Sequence, residues 1–422
     1  PPPPPPPRLI LLHPPPPITP QLASRRQRQM CIRDSPPSAH RGLMDRPKSN
    51  AMKLSAYLIQ PSNLRLWGLT PGQRLQRQLA QFEGIDWAND LETLPADAEV
   101  LLLRGDQLYD QRILAGLAER SNLLVFDHTG TRPVAARVAA AAAPGLRALL
   151  AGQPGARLPP GLRSVTPADL DSGFDSKLRK LSPPRVRPID AAGRSALERE
   201  LFDDAYKGIT DLITKWLWPL PARWATRACV RLGIRPNQVT ALSWLLALTA
   251  GLLFSVGELG WGLAAGWLMT FLDTVDGKLA RVTLNSTRFG NLFDHLLDQI
   301  HPPFWYLAWG LGLASYAPGV PNLGLGLSIG LIFGGYIAGR VAEAAFRRWL
   351  GAPFSIFAWR RFDSYTRLIT ARRNPSLILL SAGTLAGRPD LGLAAVLAWT
   401  LASSALLLLR LGLAWRQRRS GG

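Results

Sequence analysis

The sequence predicts a polytopic α-helical membrane region of six spans, preceded by a soluble α/β domain. Three observations carry that prediction. The chain has 422 residues and is 47% apolar, yet its apolar stretches of span length all fall after about residue 236. Before that point short apolar runs alternate with segments of helical spacing, the pattern of an α/β sheet. The loops between the apolar stretches also differ in charge, basic on one side and nearly neutral on the other. The net charge of +20 calls for an anionic partner. With spans present, that partner is expected to be membrane lipid or a phosphorylated ligand, and no nucleic acid. Cys31 and Cys229 are the two cysteines, too few for a disulfide framework or a four-cysteine zinc site.

Residues 1–51 open with seven prolines, repeat the run at Pro14 to Pro17, and continue through Arg25, Arg26, Arg28 and Arg33 without apolar periodicity. They read as a disordered or spurious leader, with translation beginning at Met44 or Met52; a disordered basic arm is the alternative. Residues 52–150 are expected to form the α/β domain. Strands are predicted at Lys53 to Gln60, Glu99 to Arg104, Asn122 to Asp127 and Pro133 to Val138, and helices at Gln73 to Phe82 and Asp110 to Arg120. The stretch "VLLLRGD" puts Asp106 just past the C-terminal end of a buried strand, with Asp110 four residues on, where open α/β sheets bind ligands. On these residues the domain resembles nucleotidyltransferase-like domains, in which a Gly-Asp pair after a buried strand holds the metal of a nucleotide. That family opens with a glycine-rich loop followed by an arginine and a Pro-Lys pair. Here the matching stretch is "PSNLRLWGLTPGQRL", with Ser62 and Asn63 in place of the glycines and no lysine. Backbone amides cannot approach phosphates closely there. The domain is therefore read as degenerate, with Asp106 a capping or turn aspartate rather than a metal ligand.

Residues 151–201 carry repeated Pro and Gly and the basic run "SKLRKLSPPRVRP", and read as a linker. Residues 202–235 mix Trp216, Trp218 and Trp224 with Arg223, Arg227 and Arg231 at four-residue spacing, the pattern of a basic juxtamembrane helix lying in the lipid interface. The six-span region covers 236–415, with apolar stretches at 239–256, 259–272, 289–313, 323–346, 375–386 and 391–415. Basic residues gather before the first stretch, between the second and third, between the fourth and fifth, and in the tail 416–422. The positive-inside rule then puts both termini and the basic loops in the cytoplasm, and in a bacterium the membrane is the inner one.

Carboxylates within spans are costly and mark function. Asp273, Asp276, Gly277, Ala280 and Arg281 fall at i, i+3, i+4, i+7 and i+8 on one helix face, and Gly290, Asp294 and Asp298 at i, i+4, i+8 on the next. If those helices lie side by side, four carboxylates converge beside two glycines. Such a cluster calls for a hard divalent cation, Mg2+ or Mn2+, and that in turn for a phosphorylated substrate.

Asp273-x-x-Asp276-Gly277-x-x-Ala280-Arg281, eight residues, Gly290-x-x-x-Asp294-x-x-x-Asp298 resembles the full signature of the CDP-alcohol phosphatidyltransferases, and Pro236 to Thr240 is similar to the segment that opens that family's first span. The resemblance implies a six-helix membrane enzyme of phospholipid biosynthesis that moves a phosphoalcohol group from a CDP-linked alcohol donor to an alcohol or phosphopolyol acceptor, releasing CMP. It implies that Asp273, Asp276, Asp294 and Asp298 hold metal and that Asp298 is the catalytic base. Asn237, Thr240, Gly277, Ala280, Arg281 and Gly290 would line the CDP pocket. A homodimer is expected as well. Arg340, Arg360, Arg361 and Arg367 are candidates for acceptor or lipid contacts, with an Arg340–Glu343 ion pair as the plainer reading of Arg340. Two rival readings are a bifunctional enzyme whose N-terminal domain makes the CDP-alcohol, and a cation transporter using the aspartates as its pathway.

Overall fold

A computed structural model describes residues 54–420 apart from 156–157, 172, 176–177, 179, 287, 317–321 and 352–353; at 174, 181, 288–298, 314–316, 322–323 and 420 it describes the chain path alone. The expected leader 1–51 lies outside these residues.

The first strands form where the alternating pattern places them. β1 (Leu54–Ile59), β2 (Ile85–Trp87), β3 (Glu99–Arg104), β5 (Leu123–Phe126), β6 (Pro133–Ala139) and β7 (Arg163–Val165) make one sheet in the order β2-β1-β3-β6-β5-β7. β1 runs parallel to β2 and β3, β5 parallel to β7, and β6 antiparallel to both its neighbours. β3 is buried along its whole length because it is central and covered on both faces, which explains its unbroken apolar run. Leu101, Leu103 and Ile113 pack on one face, Val100, Leu102 and Leu146 on the other. α1 (Pro71–Leu79) starts on a capping box in which Thr70 and Gln73 satisfy each other's amides, with Pro71 at the first turn. α2 (Gln111–Glu119) is capped by Asp110, and α3 (Ala143–Leu150) covers the second face.

The stretch expected to be a linker contributes structure. It supplies β7 at the sheet edge, the short helix α4 (Pro167–Leu170), and β10 (Val186–Pro188), which pairs with β4 (Gln107–Tyr109). β8 (Phe174–Asp175) and β9 (Lys180–Leu181) make a small hairpin between them. Strands of two or three residues leave too short a pattern for periodicity to detect. The expected juxtamembrane helix is divided: α5 (Arg194–Asp204) ends at Ala205, a π-helical turn spans Ile213–Leu217, and α6 (Pro219–Arg231) restarts at two prolines. Trp216, Trp224 and Leu232 are 61%, 66% and 74% exposed, large apolar groups beside lysine and arginine.

Helices occupy all six places where spans are expected: α7 (Pro236–Ser255), α8 (Leu259–Val282), α9 (Arg288–Tyr316), α10 (Asn322–Leu350), α12 (Arg373–Leu385) and α13 (Pro389–Ser420). The short helix α11 (Arg361–Ile369) joins α10 to α12. Within Pro236–Ser255, Gly324–Leu350 and Pro389–Arg419 they are long and apolar enough to cross a membrane. α8 carries Asp273, Asp276, Lys278 and Arg281 in its last turns, and α12 has 13 residues, so neither reads as an ordinary span. The helical core is built on Phe254, Met269, Trp305, Trp309 and Leu377; Trp305 Nε1, two residues after the Pro302–Pro303 pair inside α9, donates to Ala247 O (2.8 Å).

Candidate active site

α8 brings Asp273, Asp276, Gly277, Ala280 and Arg281 onto one helix, as their spacing requires. α7 packs along it, with Ser243 Oγ donating to Met269 O at 2.9 Å. One turn earlier, Thr240 Oγ1 donates to Asp276 Oδ2 at 2.7 Å, and both residues are buried, at 6% and 5% exposure. The bond fixes one carboxylate oxygen and its rotamer. Asn237 stands exposed at the start of α7, one turn from Thr240. Arg281 folds back over Gly277, where a Cβ would sit 3.1 Å from its Nη2. That glycine leaves room for the guanidinium to lie along the carboxylate face.

The sequence reading missed Arg373. It opens α12, and its Nη2 meets Asp273 Oδ2 at 2.5 Å while Nη1 reaches the Met269 sulfur at 3.8 Å. The signal was present only as one arginine in a basic cluster, and no spacing rule links positions a hundred residues apart. Gly290, Asp294 and Asp298 lie on the path of α9, and their side chains are outside the described residues. Among the described residues no group of three or more His, Cys, Asp or Glu could hold a metal. A four-carboxylate set therefore needs Asp294 and Asp298. The donors on α8 are hard carboxylate oxygens and suit magnesium or manganese.

Residues 234–349 match the profile of the CDP-alcohol phosphatidyltransferase family, and the match contains every motif position from Asn237 to Asp298. Among curated relatives, the phosphatidylinositol phosphate synthase of Mycobacteroides abscessus is 35% identical over 95 residues, 21% of this chain and 43% of that one. The archaetidylinositol phosphate synthase of Pyrococcus horikoshii is 39% identical over 72 residues, 16% of this chain and 37% of that one. These matches span less than half of either relative's length. The crystal structure of Mycobacterium tuberculosis phosphatidylinositol phosphate synthase with CDP-DAG bound aligns at 20% identity and a TM-score of 0.32, covering 45% of this chain and 92% of that one.

Beside Arg373, a crevice is lined by Tyr336, Arg340, Glu343, Thr370, Arg372 and Ser404. Glu343 pairs with Arg372, not with Arg340, whose Nη2 donates to Tyr336 Oη at 2.9 Å. The expected Arg340–Glu343 pair is thus corrected: an arginine from the α11–α12 connection takes the carboxylate. Arg367 lies half-buried with Nη1 unpartnered, its guanidinium over the Phe357 ring, and burial together with the charge of Arg372 pushes it down to about 9. Nearby, Asp211 accepts from Asn374 Nδ2 at 2.9 Å; burial raises its pKa, but Arg367, Asn374 and Thr214 outweigh this and hold it below the ordinary carboxylate value. Arg360 and Arg361 are exposed, Arg360 over the Trp359 ring.

In the α/β domain Asp106 is gripped by Arg104 at 2.9 and 2.6 Å and approached by Arg132 at 3.4 Å. Burial alone would raise its pKa, yet these arginines and Gln107 hold it below the ordinary value. Both carboxylate oxygens of Asp106 are thus taken by the Arg104 fork, one by Nε and the other by Nη2. Gly105 closes the same edge, since a Cβ there would lie 2.8 Å from Pro61 Cα.

Proposed function

We propose that this chain is an integral membrane CDP-alcohol phosphatidyltransferase that moves a phosphatidyl group from CDP-diacylglycerol to a hydroxyl of a phosphorylated polyol, with release of CMP. The observation that carries the reading is the single face of α8 on which Asp273, Asp276, Gly277, Ala280 and Arg281 stand, inside the stretch that matches the family. The CDP-linked donor is inferred from the family profile, and the phosphatidyl group and an inositol phosphate acceptor from the relatives' names.

Asp273 and Asp276, with Asp294 and Asp298, would hold a divalent cation, which when bound neutralises charge on the diphosphate and the CMP leaving group. The acceptor oxygen attacks the phosphorus that carries diacylglycerol, and the bond from that phosphorus to the CMP oxygen breaks. Asp298 takes the hydroxyl proton. Thr240 holds Asp276 in place, while Arg281 over Gly277, with Ala280 and Asn237, is set to line the donor's diphosphate and nucleoside. The crevice lined by Arg340 and Arg372 holds two guanidinium groups against the one carboxylate of Glu343, which suits the acceptor's phosphate. Arg360 and Arg361, exposed near the aromatic Trp359 and Phe362, suit lipid headgroups.

Six crossings, cytoplasmic termini and site, and a homodimer complete the proposal. The engaged Asp106 gives no support to a second, cytidylyl-transferring site, and nothing in α8 favours ion transport over transfer. The test is CMP release by the purified chain in nanodiscs, with CDP-diacylglycerol offered against inositol phosphate, glycerol phosphate, serine and inositol. Release with a phosphorylated polyol alone supports the reading. No release with any acceptor, from protein that binds CDP-diacylglycerol, refutes the acceptor class.

A further inference from the structure

α8 ends at Val282, and its last carbonyls must find donors outside the helix. Leu279 O accepts from Thr283 N at 3.0 Å, Ala280 O from Asn285 N at 2.9 Å and Arg281 O from Leu284 N at 3.4 Å. The next two carbonyls are satisfied from the other domain. Arg74 Nη2 donates to Val282 O at 2.7 Å, and Arg77 Nη1 donates to Thr283 O at 2.6 Å. Both arginines stand on α1, and Arg74 is only 4% exposed. Cations at a helix C-terminus also meet the negative end of its dipole.

The loop ahead of α1 is buried in the same junction. Trp67 is 2% exposed, stacks on Phe202 at 5.7 Å, donates from Nε1 to Glu198 O at 2.8 Å and lies under the Arg227 guanidinium. Its cluster includes Val275, Leu279 and Val282 of α8. Trp67 and Gly68 both hold positive φ, at 50° and 79°, and Val230 presses on Gly68 where a Cβ would be 3.0 Å away. A tryptophan keeps such a conformation only where its surroundings over-determine it. The loop is thus held by contact with the helix that carries Asp273 and Asp276.

We propose that the α/β domain is a clamp for the turn between the two halves of the aspartate motif, with Arg74 and Arg77 as positioning residues for the transfer reaction. Thr283 to Ser286 follow α8, and Leu284 among them adopts a φ of 50°. Fixing this turn fixes where α9 starts, and hence where Asp294 and Asp298 stand relative to Asp273 and Asp276. Neither arginine touches substrate. This inference rests on the proposed transferase reading for its kinetic consequence, and on the geometry alone for its structural one.

The experiment uses the full chain in nanodiscs with Arg74→Met, Arg74→Lys and Arg77→Gln. Hydrogen exchange is followed at the amides of Thr283, Leu284 and Asn285, with β3 as internal reference, and CMP release is measured in parallel. The clamp predicts exchange at the turn at least about tenfold faster in Arg74→Met with β3 unchanged. It predicts kcat down about tenfold with the donor KM within about twofold, and recovery of both readouts in Arg74→Lys. If Arg74→Met also loosens β3, Arg77→Gln, at an exposed position, carries the test, with a smaller rise in exchange at the turn expected. Unchanged exchange at the turn in both variants overturns the clamp. A wild type that releases no CMP while Arg74→Met still loosens the turn supports the clamp and defeats the transferase reading, so the two failures are distinct.

Discussion

Replacing Thr240 with valine removes one hydroxyl from the site while keeping its shape. Thr240 Oγ1 lies 2.7 Å from Asp276 Oδ2 and 3.1 Å from Pro236 O, and its single proton can serve only one of them. The shorter contact goes to the charged acceptor. Hydrogen bonds to charged groups contribute about 1.5–3 kcal/mol, and with both residues at most 6% exposed water does not readily replace the donor. If that bond holds Asp276 where the reacting phosphate needs it, its loss appears in the barrier, and about 1.4 kcal/mol is tenfold in rate. Thr240→Val should therefore lower kcat/KM for CMP release by about ten- to a hundredfold, and Thr240→Ser should retain most of it. The assay is CMP release in nanodiscs under subsaturating CDP-diacylglycerol, with thermal unfolding as the check on folding. A folded Thr240→Val enzyme within twofold of wild type would refute the argument that this bond positions Asp276.

Asp298→Asn should abolish turnover while the protein still folds and binds CDP-diacylglycerol, because an amide cannot take the acceptor's proton; retained turnover removes Asp298 from the role of base. Arg372→Ala leaves Glu343 without its ion-pair partner in a setting only 19% exposed, and should destabilise the helical domain by about 3–5 kcal/mol, read as a lower unfolding midpoint in detergent. An unchanged midpoint would show the pair to be dispensable. Asp211 titrates below the ordinary carboxylate value in the folded chain. Its contribution is present above the unfolded-state pKa of about 3.9 and is lost as pH falls through the lower folded-state value. Between pH 6 and pH 3 the wild-type midpoint should then fall more steeply than that of Asp211→Asn, and equal slopes would contradict the assignment.

Periodicity and charge make the framework readable because they report burial. β3 is legible as "EVLLLR" since it is covered on both faces, and α7 to α10, α12 and α13 appear where apolar stretches lie. The shared helix of the α8 candidates is legible for a different reason: i, i+3, i+4, i+7 and i+8 on a helix define a face whatever it packs against. What escapes is contact across long separations. Arg373 meets Asp273, Arg372 takes Glu343 from Arg340, and Arg74 reaches Val282, and none of these partners is implied by local spacing. Short strands such as β7 and β10 escape as well, because their pairing with β5 and β4 rather than their own pattern makes them strands. Trp67 escapes too. The sequence around it gives no sign of its burial, and only the fold shows that it meets Phe202 and the α8 residues Val275, Leu279 and Val282.

The central claim is tested most directly by magnesium-dependent CMP release from CDP-diacylglycerol in the presence of inositol phosphate, comparing wild type with Asp294→Ala in nanodiscs. The account predicts release that requires the phosphorylated acceptor and vanishes in Asp294→Ala. Release that persists in Asp294→Ala, or no release from folded wild type that binds the donor, would contradict it.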